Sequence, residues 1–430
     1  MNQQTPQMTY PQAEWSPAID ILMHTPGQEL FDGVIHPSAA LFEDYFDVNQ
    51  AASEHRQYIR MLEANGIRVH TVSKILQETD IEKLRPLAAK MLTYDISHIN
   101  EENPDASESY RQYVLSKMSR ADLISCILRQ PTVTLYKTDL NTGYEAVYSL
   151  RPLINLYFTR DQSITTPRGH VICKMNSTQR APETEIISFC YEHLDQKPIF
   201  RVTGEGRLEG GDYIPAGEMS LIGCGMRTND EGIRQLMEAD AFGHDTIVVV
   251  RDHKFWQMQM HLDTYFNIID RDLCTMVTSR LNAKPGSPEF VTCDVYQRAG
   301  KGSEGGVKGS EGNSYQLVEK DLSFVDFIRE NGYEIIPINH DDEMHYANNF
   351  LTIAPRHIMA VGRQSLEYYQ RMANAGVTVE WIPLESLING YGAAHCMTQV
   401  LRRSLASEER GTRSEERGVR SEERGVRSEE

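Results

Sequence analysis

The sequence predicts an α/β fold, because short apolar runs typical of strands alternate with amphipathic segments typical of helices. The chain has 430 residues, which is long enough to bury a sizeable core. The strand-like runs lie at residues 19–24, 171–175, 219–224, 245–250, 333–338, 349–354, 357–362 and 377–384.

Two helical segments show the second half of the pattern. Residues 53–66 ("SEHRQYIRMLEANG") place Tyr58, Met61 and Leu62 on one stripe and end at a glycine, a common helix cap. Residues 365–376 ("SLEYYQRMANAG") repeat this arrangement. Strands that alternate with such helices favour a sheet covered by helices.

A helix-rich stretch interrupts this alternation. Residues 73–134 contain few strand-like runs, and "MSRAD" within them is typical of a helix start with Ser119 as the N-cap. We therefore expect a helical insertion at 73–134 within a catalytic α/β domain formed by residues 14–72 and 135–404.

Three segments are predicted to lie outside the packed core. Residues 1–13 are polar and contain proline, which indicates a flexible N-terminus, and residues 300–313 contain "KGSEGGVKGSEG", typical of a flexible surface loop. Residues 405–430 repeat every seven residues, with serines at Ser407, Ser414, Ser421 and Ser428. A coiled coil needs two apolar positions in each heptad, and these repeats do not supply them. This tail is therefore predicted to be disordered.

Composition excludes several classes of partner. Lys and Arg total 43 and Asp and Glu total 61, so the formal net charge is −18. This charge argues against nucleic acid and against an anionic membrane, since both need a basic face. No apolar stretch is long enough to span a bilayer, residues 1–15 do not show the basic and then apolar run typical of a signal peptide, and the seven cysteines contain no CxxC pair. The sequence thus predicts a cytoplasmic protein with reduced thiols.

Four segments place charged or reactive residues beside strand-like runs. Taken singly each is weak, because a lone aspartate is more often a turn former and a lone cysteine more often a buried small hydrophobe. The segments are "NLYFTRDQS" with Asn155, Arg160 and Asp161, "RLEGGDYI" with Glu209 and Asp212, "MHLDTYF" with His261 and Asp263, and "YGAAHCMTQV" with Cys396.

Together, a cysteine, a histidine and several carboxylates suggest nucleophilic attack on a cationic carbon such as that of a guanidinium. Two carboxylates can hold its N–H groups and fix its plane, and a thiolate can attack the carbon. A histidine can protonate the departing ammonia and later activate water. The carboxylates would raise the pKa of the histidine, and its charged form would favour the thiolate once the cationic substrate is bound.

At this point the sequence resembles the arginine deiminases, members of the guanidino-group-modifying pentein superfamily. The resemblance runs from about Glu14 to about Val400 and includes "ILMHTPGQEL", "LFEDYF" and "SRADLISCILRQ". The tetrapeptides "FTRD", "EGGD", "HLDT" and "HCMT" then follow in the order of that family. The resemblance implies a five-bladed α/β propeller with an inserted helical domain.

The resemblance also implies roles for individual residues. It makes Cys396 the nucleophile, His261 the general acid and base, and Glu209 the carboxylate that orients the histidine, with Asp161 and Asp263 as the pair that binds the guanidinium. The residues expected to bind the rest of the substrate are Asn155, Arg180, Asp212 and Arg227. The implied reaction converts L-arginine and water to L-citrulline and ammonia, with no cofactor and no metal.

One position departs from the family pattern. Five residues before the nucleophile, where an arginine associated with substrate binding and gating usually stands, this chain has Tyr391. A tyrosine supplies neither the charge nor the forked donors of arginine. We therefore expect intact chemistry, with either free arginine or an arginine derivative with a different far end as the substrate, and we include Tyr391 among the substrate-binding candidates.

Other functions remain open from the sequence. An amidinotransferase would use the same cysteine, histidine and carboxylates, so these residues do not exclude it. A catalytically silent guanidino-binding protein could keep the fold, but it would be free to lose the nucleophile, which this chain retains. The acids and histidines of "HDDEMH" (340–345) do not match HExxH, so a surface turn is the favoured interpretation over a metal site. A homo-oligomer is compatible with the sequence.

Overall fold

The computed structural model describes residues 10, 13–99, 107–140, 142–299, 307–308 and 314–404. The predicted tail at 405–430 lies outside the described residues. So does nearly all of the predicted flexible N-terminus, 1–13. Of the predicted loop at 300–313, only residues 307–308 are described, and they form a short strand.

The strands confirm the predicted apolar runs and add others. They are β1 (Ala18–Met23), β2 (Arg68–Thr71), β3 (Thr93–Asp95), β4 (Pro131–Lys137), β5 (Tyr144–Leu150), β6 (Ser163–Thr166), β7 (Gly169–Ile172), β8 (Phe200–Arg201), β9 (Tyr213–Pro215), β10 (Met219–Cys224), β11 (Thr246–Arg251), β12 (Phe266–Asp270), β13 (Leu273–Val277), β14 (Thr292–Ala299), β15 (Val307–Lys308), β16 (Ser314–Ser323), β17 (Glu334–Ile338), β18 (Leu351–Ala354), β19 (His357–Val361), β20 (Thr378–Ile382) and β21 (Gln399–Arg403).

The helices lie mostly between the strands that they connect. They are α1 (Gln28–Val34), α2 (Val48–Ala64), α3 (Val72–Glu78), α4 (Ile81–Met91), α5 (Glu108–Lys117), α6 (Arg120–Arg129), α7 (Glu183–His193), α8 (Asp230–Glu238), α9 (Leu262–Tyr265), α10 (Thr278–Leu281), α11 (Phe324–Glu330), α12 (His340–Met344) and α13 (Leu366–Asn374). No helix in the described part of the chain combines the length and the apolar character needed to cross a bilayer.

The two predicted amphipathic helices are confirmed, with shifted starts. Helix α2 begins earlier than expected because the Asp47 carboxylate accepts from the backbone N–H of Gln50 at 2.8 Å. It is followed by Gly66 with φ +76°, and α13 is followed by Gly376 with φ +69°. Both glycines occupy the left-handed conformation that commonly follows a helix end.

Five sheets repeat one strand pattern. In each, a central strand pairs antiparallel with one neighbour and parallel with the other, and the parallel pair is joined through at least one helix. The sheets have the orders β21-β1-β2, β6-β7-β8, β9-β10-β11, β12-β13-β17 and β18-β19-β20. The first of these brings the two ends of the described chain together. This alternation of strands and helices confirms the predicted α/β class.

One repeat is extended beyond the predicted strands. Strand β14 pairs antiparallel with β11, β16 pairs with β14, and β15 pairs with β16, so that a six-stranded sheet forms. The sequence reading missed β14 and β16 because "SYQLVEKDLS" (314–323) carries too many polar residues to read as an apolar run. Strand β16 is mostly exposed, which allows those polar residues.

The stretch predicted as a helical insertion contains helices α3 to α6, and Ser119 caps α6 as expected. Its hydroxyl accepts from the Asp122 N–H while the Asp122 carboxylate accepts from the Ser119 N–H, which is a capping box. The same stretch also builds a separate three-stranded sheet, β3-β4-β5. A domain boundary at residue 135 would divide β4. Because β4 pairs with β5, this sheet extends along the chain as far as Leu150. The division into domains stays a prediction.

Candidate active site

Five connecting segments, called the site loops, carry the polar residues that meet in the site, and the one with Asp263 includes the short helix α9. One comes from each repeated sheet, and each leads into the outer antiparallel strand of that sheet. Asp161 stands just before β6, Asp212 before β9, Asp263 before β12, Asn349 before β18 and Cys396 before β21. Because the same position in each repeat supplies one side chain, residues far apart in sequence can converge on one point.

Cys396 is buried, with 4% of its surface exposed, yet it lines a cavity. Its Sγ lies 3.7 Å from Asp263 Oδ2 and accepts from the Asn349 side-chain amide at 3.1 Å. Its backbone is fixed as well, since the Arg160 N–H donates to the Cys396 carbonyl at 3.1 Å. Burial, then Asp263 and Asp161, raise the pKa of the Cys396 thiol well above its ordinary value.

His261 lies among carboxylates. Its Nε2 is 2.9 Å from Glu209 Oε2, and its Nδ1 is 3.8 Å from Asp161 Oδ1. Burial alone would lower the pKa of this imidazole, but Asp161, Glu209 and Asp212 outweigh burial and raise it to about 9. The imidazolium form is therefore favoured at neutral pH, as the sequence chemistry predicted.

Glu209 is held on two sides. Its Oε2 faces His261, and its Oε1 accepts from the Asn176 backbone N–H at 2.9 Å. Although burial raises the pKa of Glu209, His261 lowers it to about 2, and Arg227 and Arg180 act in the same direction. Glu209 and His261 thus form a buried carboxylate–imidazolium pair.

Asp161 and Asp263 share an unusual arrangement. Asp161 Oδ2 accepts from Arg180 Nη1 at 2.7 Å, and Asp263 Oδ2 accepts from His395 Nδ1 at 2.6 Å. The second oxygen of each carboxylate, Oδ1, is buried and has no hydrogen-bond partner among the described residues. Two buried carboxylate oxygens without donors are costly unless a donor is supplied to them.

A glycine keeps the space between these groups open. A Cβ atom at Gly211 would lie 2.7 Å from His261 Nδ1 and 3.0 Å from Asp263 Oδ1. Those distances are too short for a methyl group, so a side chain at position 211 would displace His261 or Asp263. The Gly-Gly pair in "RLEGGDYI" therefore has a steric role at the site.

The cavity is small, with a volume of about 20 Å³. Its walls contain the reactive residues together with other polar and apolar residues. They are formed by Leu41, Asn155, Phe158, Asp161, Arg180, Arg227, Gln257, Met260, His261, Gly390, Tyr391 and Cys396.

The residues predicted to bind the far end of a substrate differ in how they are engaged. Arg227 donates from Nη2 to Gln257 at 3.1 Å, while its Nε has no partner in the described part of the chain. Arg180 already contacts Asp161 and Glu183. Asn155 donates to the Ala40 carbonyl at 3.3 Å.

Two of the predicted substrate-binding residues are placed differently from each other. Tyr391 lies on the cavity wall and follows a short 3₁₀ helix (Leu387–Gly390) with φ +64°. The carboxylate of Asp212, by contrast, is occupied by protein donors: the Thr228 hydroxyl at 2.6 Å and the Leu262 N–H at 3.0 Å. Asp212 therefore holds the backbone between His261 and Asp263, and burial above all raises its pKa to about 6.

The sequence reading missed two residues beside the reactive groups. Asn349 contacts the Cys396 sulfur and also accepts from the backbone N–H groups of Ala393 and Cys396. His395 contacts Asp263. Asn349 could have been found from its position before a strand, which matches the other four loops, and His395 from its place next to the cysteine.

Three of the site residues offer atoms that a metal could use. Ligand atoms of Asp161, Glu209 and His261 lie within 4.8 Å of one another. A histidine binds a metal through a neutral nitrogen, and the raised pKa of His261 favours the protonated form. This set therefore fits a charged hydrogen-bond network better than a metal site.

The segment "HDDEMH" forms helix α12, so its interpretation as a surface turn is wrong. Asn339 caps the helix by accepting from the Asp342 N–H at 2.8 Å. Asp342 and Glu343 are buried and bonded, to Ser365 and to Gln259 respectively. The acids of this segment therefore serve packing within the fold.

Comparison with known proteins identifies the family of this chain. A sequence model of the arginine deiminase family matches residues 38–403. The chain is 28% identical to the arginine deiminase of Halobacterium salinarum, with 91% of this chain and 96% of that one aligned. It is 25% identical to arginine deiminase 1 of Staphylococcus epidermidis, over 89% of this chain and 95% of that one.

Solved structures share the fold at lower sequence identity. A citrulline complex of a cysteine-to-serine variant of DDAH from Pseudomonas aeruginosa matches with a TM-score of 0.53 at 16% identity, covering 89% of this chain and 99% of that one. The N-terminal domain of ArgZ, bound covalently to a reaction intermediate, matches with a TM-score of 0.52 at 14% identity, covering 90% and 98%. The family match covers most of the described chain and confirms the resemblance predicted from the four motifs. The chain belongs to the arginine deiminase family and is a hydrolase that acts on the C–N bonds of amidines.

Proposed function

We propose that this protein hydrolyses the guanidino group of L-arginine to L-citrulline and ammonia through a covalent intermediate on Cys396. One observation carries the proposal: Asp161, on the cavity wall with a thiol and an imidazole, and Asp263, whose Oδ2 lies 3.7 Å from the thiol sulfur, each have an unpaired Oδ1 atom. A planar cation with N–H groups on two sides would supply the missing donors. A guanidinium has that shape and charge.

Binding also prepares the nucleophile. The same two carboxylates raise the pKa of the Cys396 thiol. A bound guanidinium offsets their charge, so the thiol ionises more readily when substrate is present. The enzyme thereby keeps its sulfur in the less reactive protonated form until a substrate arrives.

The first half of the reaction forms the Sγ–C bond. The Cys396 thiol loses its proton to solvent, the thiolate attacks the guanidinium carbon, and the resulting tetrahedral adduct is neutral. His261 gives its proton to one NH₂ group, the C–N bond breaks, and ammonia leaves. A cationic amidino thioether remains on Cys396, and His261 is neutral.

The second half consumes water. Neutral His261 removes a proton from water as the oxygen attacks the same carbon, which regenerates the imidazolium. The C–S bond then breaks, the hydroxyl proton passes to sulfur, and the ureido product leaves with the thiol restored. Glu209 stabilises the imidazolium in both states where it exists.

The far end of the substrate is proposed to meet Arg227, Asn155 and Tyr391. Arg227 provides the cation with an unused Nε for a carboxylate. Tyr391 provides a hydroxyl where family members provide a second forked cation. This replacement also supports a second candidate substrate, an arginine derivative whose far end carries less negative charge than free arginine.

We also propose that the five repeated sheets are the blades of a propeller. Helices α3 to α6 and the β3-β4-β5 sheet then form an insertion. The repeated strand order supports this arrangement, and so does the sheet shared by β1 and β21, which closes the chain on itself. The five site loops then lie at one end of the propeller.

The proposed setting is the cytoplasm. The seven cysteines, all within the described residues, are unpaired. Free thiols are usual in a reducing compartment. Assembly into a homo-oligomer stays a prediction.

A substrate panel tests the proposed activity. Purified protein is incubated with arginine, agmatine, methylated arginines and acylated arginines, and both ureido product and ammonia are measured. Equal amounts of citrulline and ammonia from arginine are expected, with Cys396→Ser as the inactive control. Transfer of the amidino group to an added amine without ammonia release would indicate an amidinotransferase. Binding without any product would indicate a silent guanidino-binding protein.

A further inference from the structure

Asp263 is the carboxylate closest to the Cys396 sulfur, and a second histidine contacts it. His395 is completely buried, and its Nδ1 lies 2.6 Å from Asp263 Oδ2. An ionised carboxylate has only acceptors, so the His395 nitrogen must be the donor in this bond. The bond occupies Oδ2 and leaves Oδ1 without a partner among the described residues.

His395 is itself held firmly. Its backbone N–H donates to the Asn349 carbonyl at 3.1 Å, and its own carbonyl accepts from Arg160 Nε at 3.3 Å. The far nitrogen, Nε2, lies 3.5 Å from Glu14 Oε1, and Glu14 is paired with the buried Arg403. His395 therefore links Asp263 to a buried ion pair at the paired chain ends, β1 and β21.

The charge of Asp263 depends on this neighbour. Burial raises the pKa of Asp263, but the hydrogen bond from His395 and the electrostatic interactions with His395, His261 and Arg160 outweigh burial and lower it. Other ionisable groups that face Asp263 are the Cys396 thiol and, through His395, Glu14. Both His395 and the Cys396 thiol donate to Oδ2 of this carboxylate, His395 at 2.6 Å and the weaker thiol donor at 3.7 Å.

We propose that His395 is a positioning residue that turns Asp263 so that Oδ1 faces the guanidinium. Without His395, Oδ2 would keep only the weaker contact from the Cys396 thiol, and the carboxylate could rotate about its Cβ–Cγ bond toward Cys396 or Arg160. The planar guanidinium would then lose one of its two fixed carboxylate contacts, the one with Asp263. This role rests on the proposed function, because it presumes a guanidinium beside Asp263.

Small alkylating agents test the role without turnover. 2-Chloroacetamidine carries a planar amidinium cation, whereas 2-chloroacetamide has the same size and no charge. The ratio of their second-order rate constants for Cys396, measured by intact-protein mass spectrometry, reports how well the carboxylates hold the cation. A role limited to folding would alter stability and leave this ratio unchanged.

Two variants of His395 distinguish the effect of losing the Nδ1 donor from the effect of losing the imidazole ring. His395→Asn keeps an N–H near the position of Nδ1, and His395→Leu removes it at similar volume. We expect His395→Leu to lower the ratio about tenfold to a hundredfold, since hydrogen bonds to charged groups are strong. His395→Asn should stay within about threefold of the wild type by the same reasoning. His170→Leu, at a buried histidine bonded to Thr165, is the matched control and should keep the ratio.

Each result is decisive. A normal ratio in His395→Leu, or equal losses in His395→Asn and His395→Leu, would overturn the role of His395. If His395→Leu does not fold, His395→Gln is used in its place. The glutamine N–H lies near the position of His395 Nε2 and therefore cannot donate to Asp263 as Nδ1 does. Equal ratios for the Gln and Asn variants would then overturn the proposal. Absence of any amidinium preference in the wild type would instead contradict the proposed function itself.

Discussion

Replacement of Glu209 by glutamine should shift the pH dependence of the reaction. The change removes the negative charge that faces His261 Nε2 at 2.9 Å. Glutamine also has one acceptor oxygen where the carboxylate has two, while both His261 and the Asn176 N–H donate to this side chain. The imidazolium form of His261 therefore loses stabilisation.

The size of the shift follows from the lost bond. A hydrogen bond to a charged group contributes about 1.5–3 kcal/mol. One pH unit corresponds to about 1.4 kcal/mol, so the pKa of His261 should fall by about one to two pH units. It lies at about 9 in the wild type. The first proton transfer needs the imidazolium, so kcat/KM should decline above this pKa in the wild type and from a lower pH in Glu209→Gln.

The assay is the pH profile of kcat/KM for arginine between pH 5 and 10, with citrulline as the measured product. Glu54→Gln is a matched control, because Glu54 is a buried carboxylate bonded to the backbone N–H groups of Ser386 and Leu387 and does not contact His261. The control should keep the alkaline limb of the wild type. An unchanged alkaline limb in Glu209→Gln would refute the assignment of His261 as the acid that Glu209 supports.

Three further substitutions test other parts of the site. Gly211→Ala places a methyl group against His261 and Asp263, so kcat/KM should fall about a hundredfold or more, and unchanged kinetics would show that the space is not used. Asn349→Ala removes the donor to the Cys396 sulfur; the pH at which iodoacetamide alkylates Cys396 should rise, and an identical alkylation profile would contradict that contact. Tyr391→Arg should lower KM for free arginine more than it changes kcat, whereas equal kinetics would show that this position does not affect recognition.

The class of fold and the reactive residues could be predicted from sequence because both leave local patterns. Apolar runs such as "DTIVVV" mark strands that are buried, as β11 is. The motifs with Asp161, Glu209, His261 and Cys396 are short and adjoin strands, and the structure brings all four to one cavity or its immediate neighbourhood.

The remaining features depend on contacts between distant segments. Asn349 stands before a strand, as the other site residues do, but the sequence around it does not indicate that its amide contacts the sulfur of a cysteine 47 residues away. Strand β16 is mostly exposed and polar, so it does not carry the apolar pattern of a buried strand. The role of Gly211 is a matter of space between His261 and Asp263, which becomes visible only when their loops are placed together.

The most direct test of the covalent mechanism is rapid quenching of the enzyme with arginine in acid, followed by mass spectrometry of the Cys396 peptide. The account predicts a transient amidino adduct on the Cys396 sulfur that forms and decays at rates compatible with turnover and is absent in Cys396→Ser, which should be folded and inactive. Turnover without any adduct, an adduct on a different residue, or normal activity in Cys396→Ser would contradict it.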